Sequence, residues 1–294
     1  MSTPSGVSTE IVRQLRERLD GFRDACQRLD EDPAEGPVHD LRVSARRLHA
    51  ALTLFAPLLD LPVELRPGSI RRVERRFGAL RDLDVQAARL AALPDGVEEA
   101  RRELERERTE AKERGGASLR RRPLRRTLGA LGDWCTAPGF TPLAQLPPEA
   151  LTAPLLAPTL SLVLLHPGWL IPDSPAPDER GAADLHALRR CLKRLRYSLE
   201  CVTGWCGDEM GGWLDELHAM QDALGAWHDE GILRKRLARH VPDPDLLRAS
   251  ASRARAALEP WPAWRERYLD PGVRAGLYQR IGGAAVVAAP PLGA

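Results

Sequence analysis

The sequence predicts an all-α protein built as two antiparallel helical bundles. Apolar residues recur at helical period along nearly all of its 294 residues. No period-two alternation of Val, Ile and Thr persists anywhere, so no sheet is expected. A pattern of His, Arg, Gly and Asp also returns half a chain later, which marks a duplicated unit.

Taken in order, the first helix runs from about Thr9 to Asp30, with Ser8 or Thr9 as cap. A turn from Pro33 to Pro37 precedes a second helix from Val38 to about Leu59. The turn Pro62–Pro67 leads to a third, Ser69–Leu93, and Pro94-Asp95-Gly96 to a fourth, Val97–Arg114. The mixed charges of the fourth suit an exposed helix laced with i,i+4 pairs. Gly115-Gly116 should interrupt it, with a further short helix at Leu119–Leu131. Residues 137–177 are proline-rich and form the joint between halves, although Leu155–Leu165 corresponds to the first helix. The second half continues as Ala182–Gly204, Met210–His240 and Pro244–Trp261, with another helix near Trp264–Ile281.

The chain is long enough to bury a substantial core. With 43% hydrophobic and 29% charged residues it has the composition of a soluble globular protein. A net charge of +2 excludes a global basic field, so any basic surface must be local. The N-terminal "MSTPSGVSTE" has no charged segment followed by an apolar one, so no signal peptide is expected. The longest apolar tract, Pro154–Ile171, is broken by Pro158 and Pro167 and reads as a buried helix and loop, not a membrane span. Five cysteines without a CxxC argue against a disulfide framework or zinc ribbon and point to a cytoplasmic setting.

The stretch "VHDLRVSARRLHAALTLF" (Val38–Phe55) carries the chemistry. On a helix, His39, Arg42, Arg46 and His49 fall at about 0°, 300°, 340° and 280°. Leu41, Ala45, Leu48, Leu52 and Phe55 lie opposite, and no acid on the polar stripe pairs with its cations. One such stripe is an ordinary solvated face. The second copy, "LHALRRCLKRLRYSLE" (Leu185–Glu200), repeats it at an offset of 147 residues with His186, Arg189, Lys193 and Arg196. The same offset carries "FGALRDLDV" (Phe77–Val85) onto "LGAWHDEGI" (Leu224–Ile232), matching Gly78 with Gly225 and Asp82 with Asp229. Paired His-Arg stripes fit phosphate oxygens, which take forked Arg donors, and a repeated contact suits a chain-like anion. Asp82 and Asp229 either orient the stripe residues or make ordinary surface ion pairs. Gly78 and Gly225 are expected to permit close helix packing.

Other chemistries find little footing. No HExxH or HxxxH appears, and arginines beside the histidines would repel a cation, so no metal or cofactor is expected. GK[ST], GxSxG and GxGxxG motifs are absent. Nucleic acid is the competing polyanion. Single-stranded recognition uses aromatic stacking, only 5% of residues are aromatic, and Tyr197 and Trp227 are the nearest candidates.

At "VHDLRVSARRL", "LRDLDV", "LHALRRCLKRLRYSLE" and "LGAWHD" the sequence resembles the CHAD family, named for conserved histidines in an α-helical domain. The resemblance spans about Ser8 to Trp261. It implies one domain over about 8–280 made of two duplicated halves, about 8–135 and 150–280. These would be four-helix bundles related by a pseudo-two-fold axis, enclosing a central basic channel that binds inorganic polyphosphate. Family members associate with polyphosphate granules. His39, Arg42, Arg46, Arg47, His186, Arg189, Arg190, Lys193, Arg194 and Arg196 would be phosphate ligands, with His49 standing where the family usually has Arg. Arg47, Arg190 and Arg194 lie off the central stripe, at about 80°, 40° and 80°. Some members are fused to triphosphate-tunnel domains, but no ExExK motif is present here, so hydrolysis is not implied. The expectation is a non-catalytic polyphosphate-binding module, with an RNA-binding protein or a polyphosphate-processing hydrolase or transferase as alternatives.

Overall fold

The computed structural model describes residues 6–31, 35–171, 181–206 and 210–282. Eleven α-helices fill most of them: α1 Gly6–Glu31, α2 Glu35–Leu54, α3 Pro67–Ala91, α4 Glu98–Leu119, α5 Arg122–Thr136, α6 Pro148–Leu164, α7 Ala182–Cys206, α8 Gly211–His240, α9 Pro244–Ala257, α10 Trp261–Leu269 and α11 Pro271–Gly282. Among the described residues there is no strand, and one isolated bridge joins Leu59 to Phe140.

The expected boundaries move where glycine and proline act through their surroundings. Gly115-Gly116 does not interrupt α4. Gly115 is buried, and a Cβ there would stand 3.1 Å from Cζ of Phe77, so it serves close packing instead of a break. The break falls at Arg121, which is extended ahead of Pro123, a residue suited to a first helical turn. The second helix stops at Leu54 and gives way to a 3-10 turn over Ala56–Leu58. The C-terminal region forms three helices where two were expected, with new starts at Trp261 after Pro260 and at Pro271. In α6, Pro154 and Pro158 lie inside the helix without ending it.

The chain forms two compact units. The first holds residues 1–145 with 229–252, and the second 146–228 with 253–294. In the first, α1 packs on α2, α2 on α3 and α3 on α4. Its core includes the fully buried Ile11, Leu15, Leu19, Leu41, Leu48 and Phe55. A further cluster of Leu90, Val97, Ala100 and Leu104 takes in Leu233 and Leu237 from the C-terminal part of α8. Polar links support that junction. Arg89 pairs with the buried Glu230, and Ser250 Oγ donates to Glu230 Oε2 at 2.8 Å.

In the second unit α6 packs on α7 and α11. The segment Pro148–Leu170 is long and apolar enough to cross a membrane by length and composition. Here its Leu156, Leu160 and Val163 are fully buried. The hub of this unit is Trp169, in the 3-10 turn Pro167–Leu170. Its ring lies 5.3 Å from that of Trp261 and 4.7 Å from that of Tyr268, within 5° of parallel to each. Trp169 Nε1 donates to Val163 O at 2.7 Å, and Trp213 Nε1 to the Tyr268 hydroxyl at 3.0 Å. Burial is the main reason the Tyr268 phenol is pushed well above its usual range.

Removing that hub should be costly. Trp169→Ala is expected to lower stability by about 3–5 kcal/mol, as for other buried aromatic truncations. Leu165→Ala, on the exposed side of the same unit, should change it by less than about 0.5 kcal/mol; urea unfolding followed by tryptophan-independent circular dichroism compares the two.

Candidate polyanion-binding site

The apolar stripe of α2 sets the orientation of its basic one. Leu41, Ala45, Leu48, Leu52 and Phe55 are all buried, which leaves Arg42, Arg46 and His49 half-buried beside α3 and His39 and Arg47 exposed. Helix α7 repeats the arrangement. Leu188, Leu192, Leu195 and Leu199 are buried, His186, Arg189 and Lys193 are half-buried, and Arg190 and Arg194 are exposed.

The glycines of the repeated motif face these cations. A Cβ at Gly78 would lie 3.8 Å from Arg42 Nε. A Cβ at Gly225 would lie 3.1 Å from Arg189 Nη2. The close approach at Gly225 is thus to the guanidinium of Arg189, while at Gly78 Arg42 stands at ordinary contact distance. Beside the second pair the imidazoles of His186 and His228 sit 4.2 Å apart, tilted by 32°.

The stripe of α2 is not without counter-charge, as its own helix suggested. Glu74 of α3 takes a hydrogen bond from Arg46 Nε at 2.8 Å, and its other oxygen lies 3.8 Å from His49 Nδ1. At the matching place in the second half, Arg196 Nε donates to Gln221 Oε1 at 2.9 Å. Arg196 Nη1 also donates to Glu200 at 2.6 Å, and its guanidinium lies 4.1 Å from the centre of the Tyr197 ring. Only 8% of Arg196 is exposed, so this expected ligand holds α7 to α8 from within. Tyr197 and Trp227, the aromatics nominated for base stacking, are buried as well.

The two acids expected to orient the stripes sit differently. Asp82 is exposed and makes no ion pair among the described residues, because the α3 carboxylate that reaches the stripe is Glu74, two turns earlier. Asp229 has its carbonyl bound by Gln86 Nε2 at 3.0 Å and its carboxylate 3.9 Å from Arg89. Glu74, Arg81 and Gln221 were passed over in the sequence. The 147-residue offset that pairs the stripes also pairs Glu74 with Gln221 and Arg81 with His228, and extending it would have found them.

Cationic crowding shows in His39. Its basicity is lowered first by partial burial, then by the positive charges of Arg81 and Arg42 and, more weakly, Arg46, with Asp40 opposing. The described residues contain no group of three or more His, Cys, Asp or Glu able to hold a metal ion. Cys26 lies in this unit as a free thiol pushed up to about 12 by burial, which keeps it protonated and unreactive.

The CHAD domain model of protein families matches residues 13–238. The chain belongs to the CHAD family. This CHAD domain is also similar to the crystal structure of the CHAD domain from the plant Ricinus communis, at 23% identity and a TM-score of 0.63. That likeness covers 95% of this chain and 93% of the other. A second solved structure, PptA from Streptomyces chartreusis, is similar at 20% identity and a TM-score of 0.57, over 95% of this chain and 99% of that one. Both likenesses concern the fold. No curated protein matches the CHAD domain by sequence.

Two outcomes follow from this geometry. His39 should titrate below the ordinary value of about 6.5, and Arg81→Gln should raise its midpoint, read by NMR. Because the folded-state value is the lower one, His39 contributes no penalty above about pH 6.5 and costs stability as pH falls through its folded midpoint. Arg196→Ala, which strands Gln221 and Glu200, should destabilise the domain by about 2 kcal/mol. Arg194→Ala, at an exposed position, should leave the unfolding midpoint nearly unchanged.

Proposed function

We propose that this CHAD domain binds inorganic polyphosphate through its two His-Arg stripes and does not turn it over. The observation that carries the reading is the repeated contact of a stripe arginine with a helical glycine, Arg42 at Gly78 and Arg189 at Gly225. The two guanidinium groups lie over equivalent glycines of the repeat, with Arg189 close enough to Gly225 that a Cβ there would crowd it. Planar, permanently charged forks of this kind match phosphate oxygens.

The ligand set in this reading is His39, Arg42 and Arg47 from the first half and His186, Arg189, Arg190, Lys193 and Arg194 from the second. Arg46 is shared with Glu74 and contributes less. Arg196 and His49 serve the packing around α7–α8 and α2–α3. The halves are taken as pseudo-two-fold-related four-helix bundles whose stripes line one basic channel, as the sequence resemblance implies. The setting is the cytoplasm, on polyphosphate granules, with no membrane step. An inorganic chain is favoured over RNA because Tyr197 and Trp227, the stacking candidates beside the stripes, are buried.

Titration with long-chain polyphosphate and with single-stranded RNA across a salt series tests this. Polyphosphate binding should outlast RNA binding at physiological salt. The double variant Arg42→Ala, Arg189→Ala should lose at least tenfold in affinity while keeping wild-type helicity. Equal, steeply salt-dependent binding to both polymers would reduce the stripes to a generic basic surface. Release of orthophosphate on adding magnesium would make the protein an enzyme.

A further inference from the structure

A second basic feature in the first unit lies outside the stripes. Residues 115–132 contain five arginines and no acid, in a chain with 41 acidic residues. Arg120, Arg121, Arg122, Arg125 and Arg126 are all exposed around the junction of α4 and α5. The start of α3 meets this junction. Arg66 N donates to Thr127 Oγ1 at 3.4 Å, and Ser69 Oγ to the same oxygen at 3.0 Å. That brings exposed Arg66 to the same corner, and none of the six arginines forms an ion pair among the described residues.

What sets the corner apart is that no acid lies within residues 115–132 to pair with its arginines. Some exposed arginines of α1 and α4 are paired within a turn, as Arg13 is with Glu10 and Glu17 and Arg114 is with Glu110, while Arg102 and Arg106 of α4 form no ion pair among the described residues. At the corner, Arg122 and Arg126 of α5 stand at the i,i+4 spacing where like charges oppose helix formation. The cluster also sits at the N-terminal ends of α3 and α5, neither of which has an acid in its first turn or a capping side chain. Cations there oppose the helix dipole, whereas an anion would be favoured by both the dipoles and the arginines. The cluster works against the local fold and has no internal neutraliser.

We propose that this corner is a second anion site, which holds the continuing part of an inorganic polyphosphate chain whose other part lies on the α2 stripe. The inference rests on the polyphosphate reading above and adds its chain-length dependence. Helix α3 connects the two places, because Arg66 and Gly78 are separated by about 18 Å of helix at 1.5 Å per residue. Arg71 and Arg75, both exposed and without ion pairs among the described residues, fall within about 60° of Gly78 around the helix. A short chain reaches one site only. A long chain reaches both, and the second contact acts at high effective concentration. A bare phosphate chain is the favoured occupant because residues 115–132 contain no aromatic side chain for stacking bases.

Calorimetric titration with a short oligophosphate and a long-chain polyphosphate tests the corner, using the quadruple variant Arg121→Ala, Arg122→Ala, Arg125→Ala, Arg126→Ala. The milder Arg122→Gln, Arg126→Gln serves if the first folds poorly. The expected result is at least a tenfold loss for the long chain with the short-chain affinity within twofold of wild type. Wild-type binding to both chains that is unchanged in the variant overturns the corner alone. An equal loss for both chains overturns it too, as does loss of RNA binding with long-chain polyphosphate binding retained. A wild-type protein that binds neither chain removes the polyphosphate reading together with this one.

Discussion

Burial of one leucine stripe on α2 and another on α7 is the constraint from which the candidate site follows. Each fully buried leucine is worth about 1.5–3 kcal/mol relative to exposure. Leu41, Leu48 and Leu52 on α2, and Leu188, Leu192, Leu195 and Leu199 on α7, are therefore ample to fix the rotation of each helix. Once that rotation is set, the basic side chains have no choice of direction. They emerge along the flank that meets α3 or α8, and on the α8 side Gly225 leaves room for Arg189.

Within that frame the charges are arranged unevenly. Glu74 neutralises part of the first stripe through Arg46. The second stripe has Gln221 at the equivalent place, and Arg196 finds its carboxylate on its own helix at Glu200. The two stripes thus differ in how they satisfy their inner cations, while in each an outer arginine lies beside a helical glycine. Interior pairs hold the helices together, and the outer groups keep the more open positions.

The helices were legible because apolar spacing reports directly on a buried face, and α2 and α7 carry four such positions each in register, with Phe55 continuing the first just past the helix end. Their ends were less so. Gly115 signals a break by propensity, yet its neighbour Phe77, nearly forty residues earlier, turns the missing Cβ into a packing requirement. The stripe was legible for the same reason as the core, being its complement on one helix. Its partners were not. Glu74 is 28 residues from Arg46, and Gln221 is 25 from Arg196. Periodicity along one helix says nothing about which other helix lies beside it. Tyr197 shows the same limit, since its angle on the helix placed it near the cations while its ring is covered.

Helix α8 has a consequence of another kind. It starts among the residues of the second unit and finishes among those of the first, where Leu233 and Leu237 complete a core otherwise drawn from α3 and α4. Glu230 and Ser250 fasten the same region to Arg89. The internal repeat of the sequence divides the chain at its midpoint, but the folded protein is not divisible there. A gene cut between the two repeats would deliver a first half lacking part of its own interior.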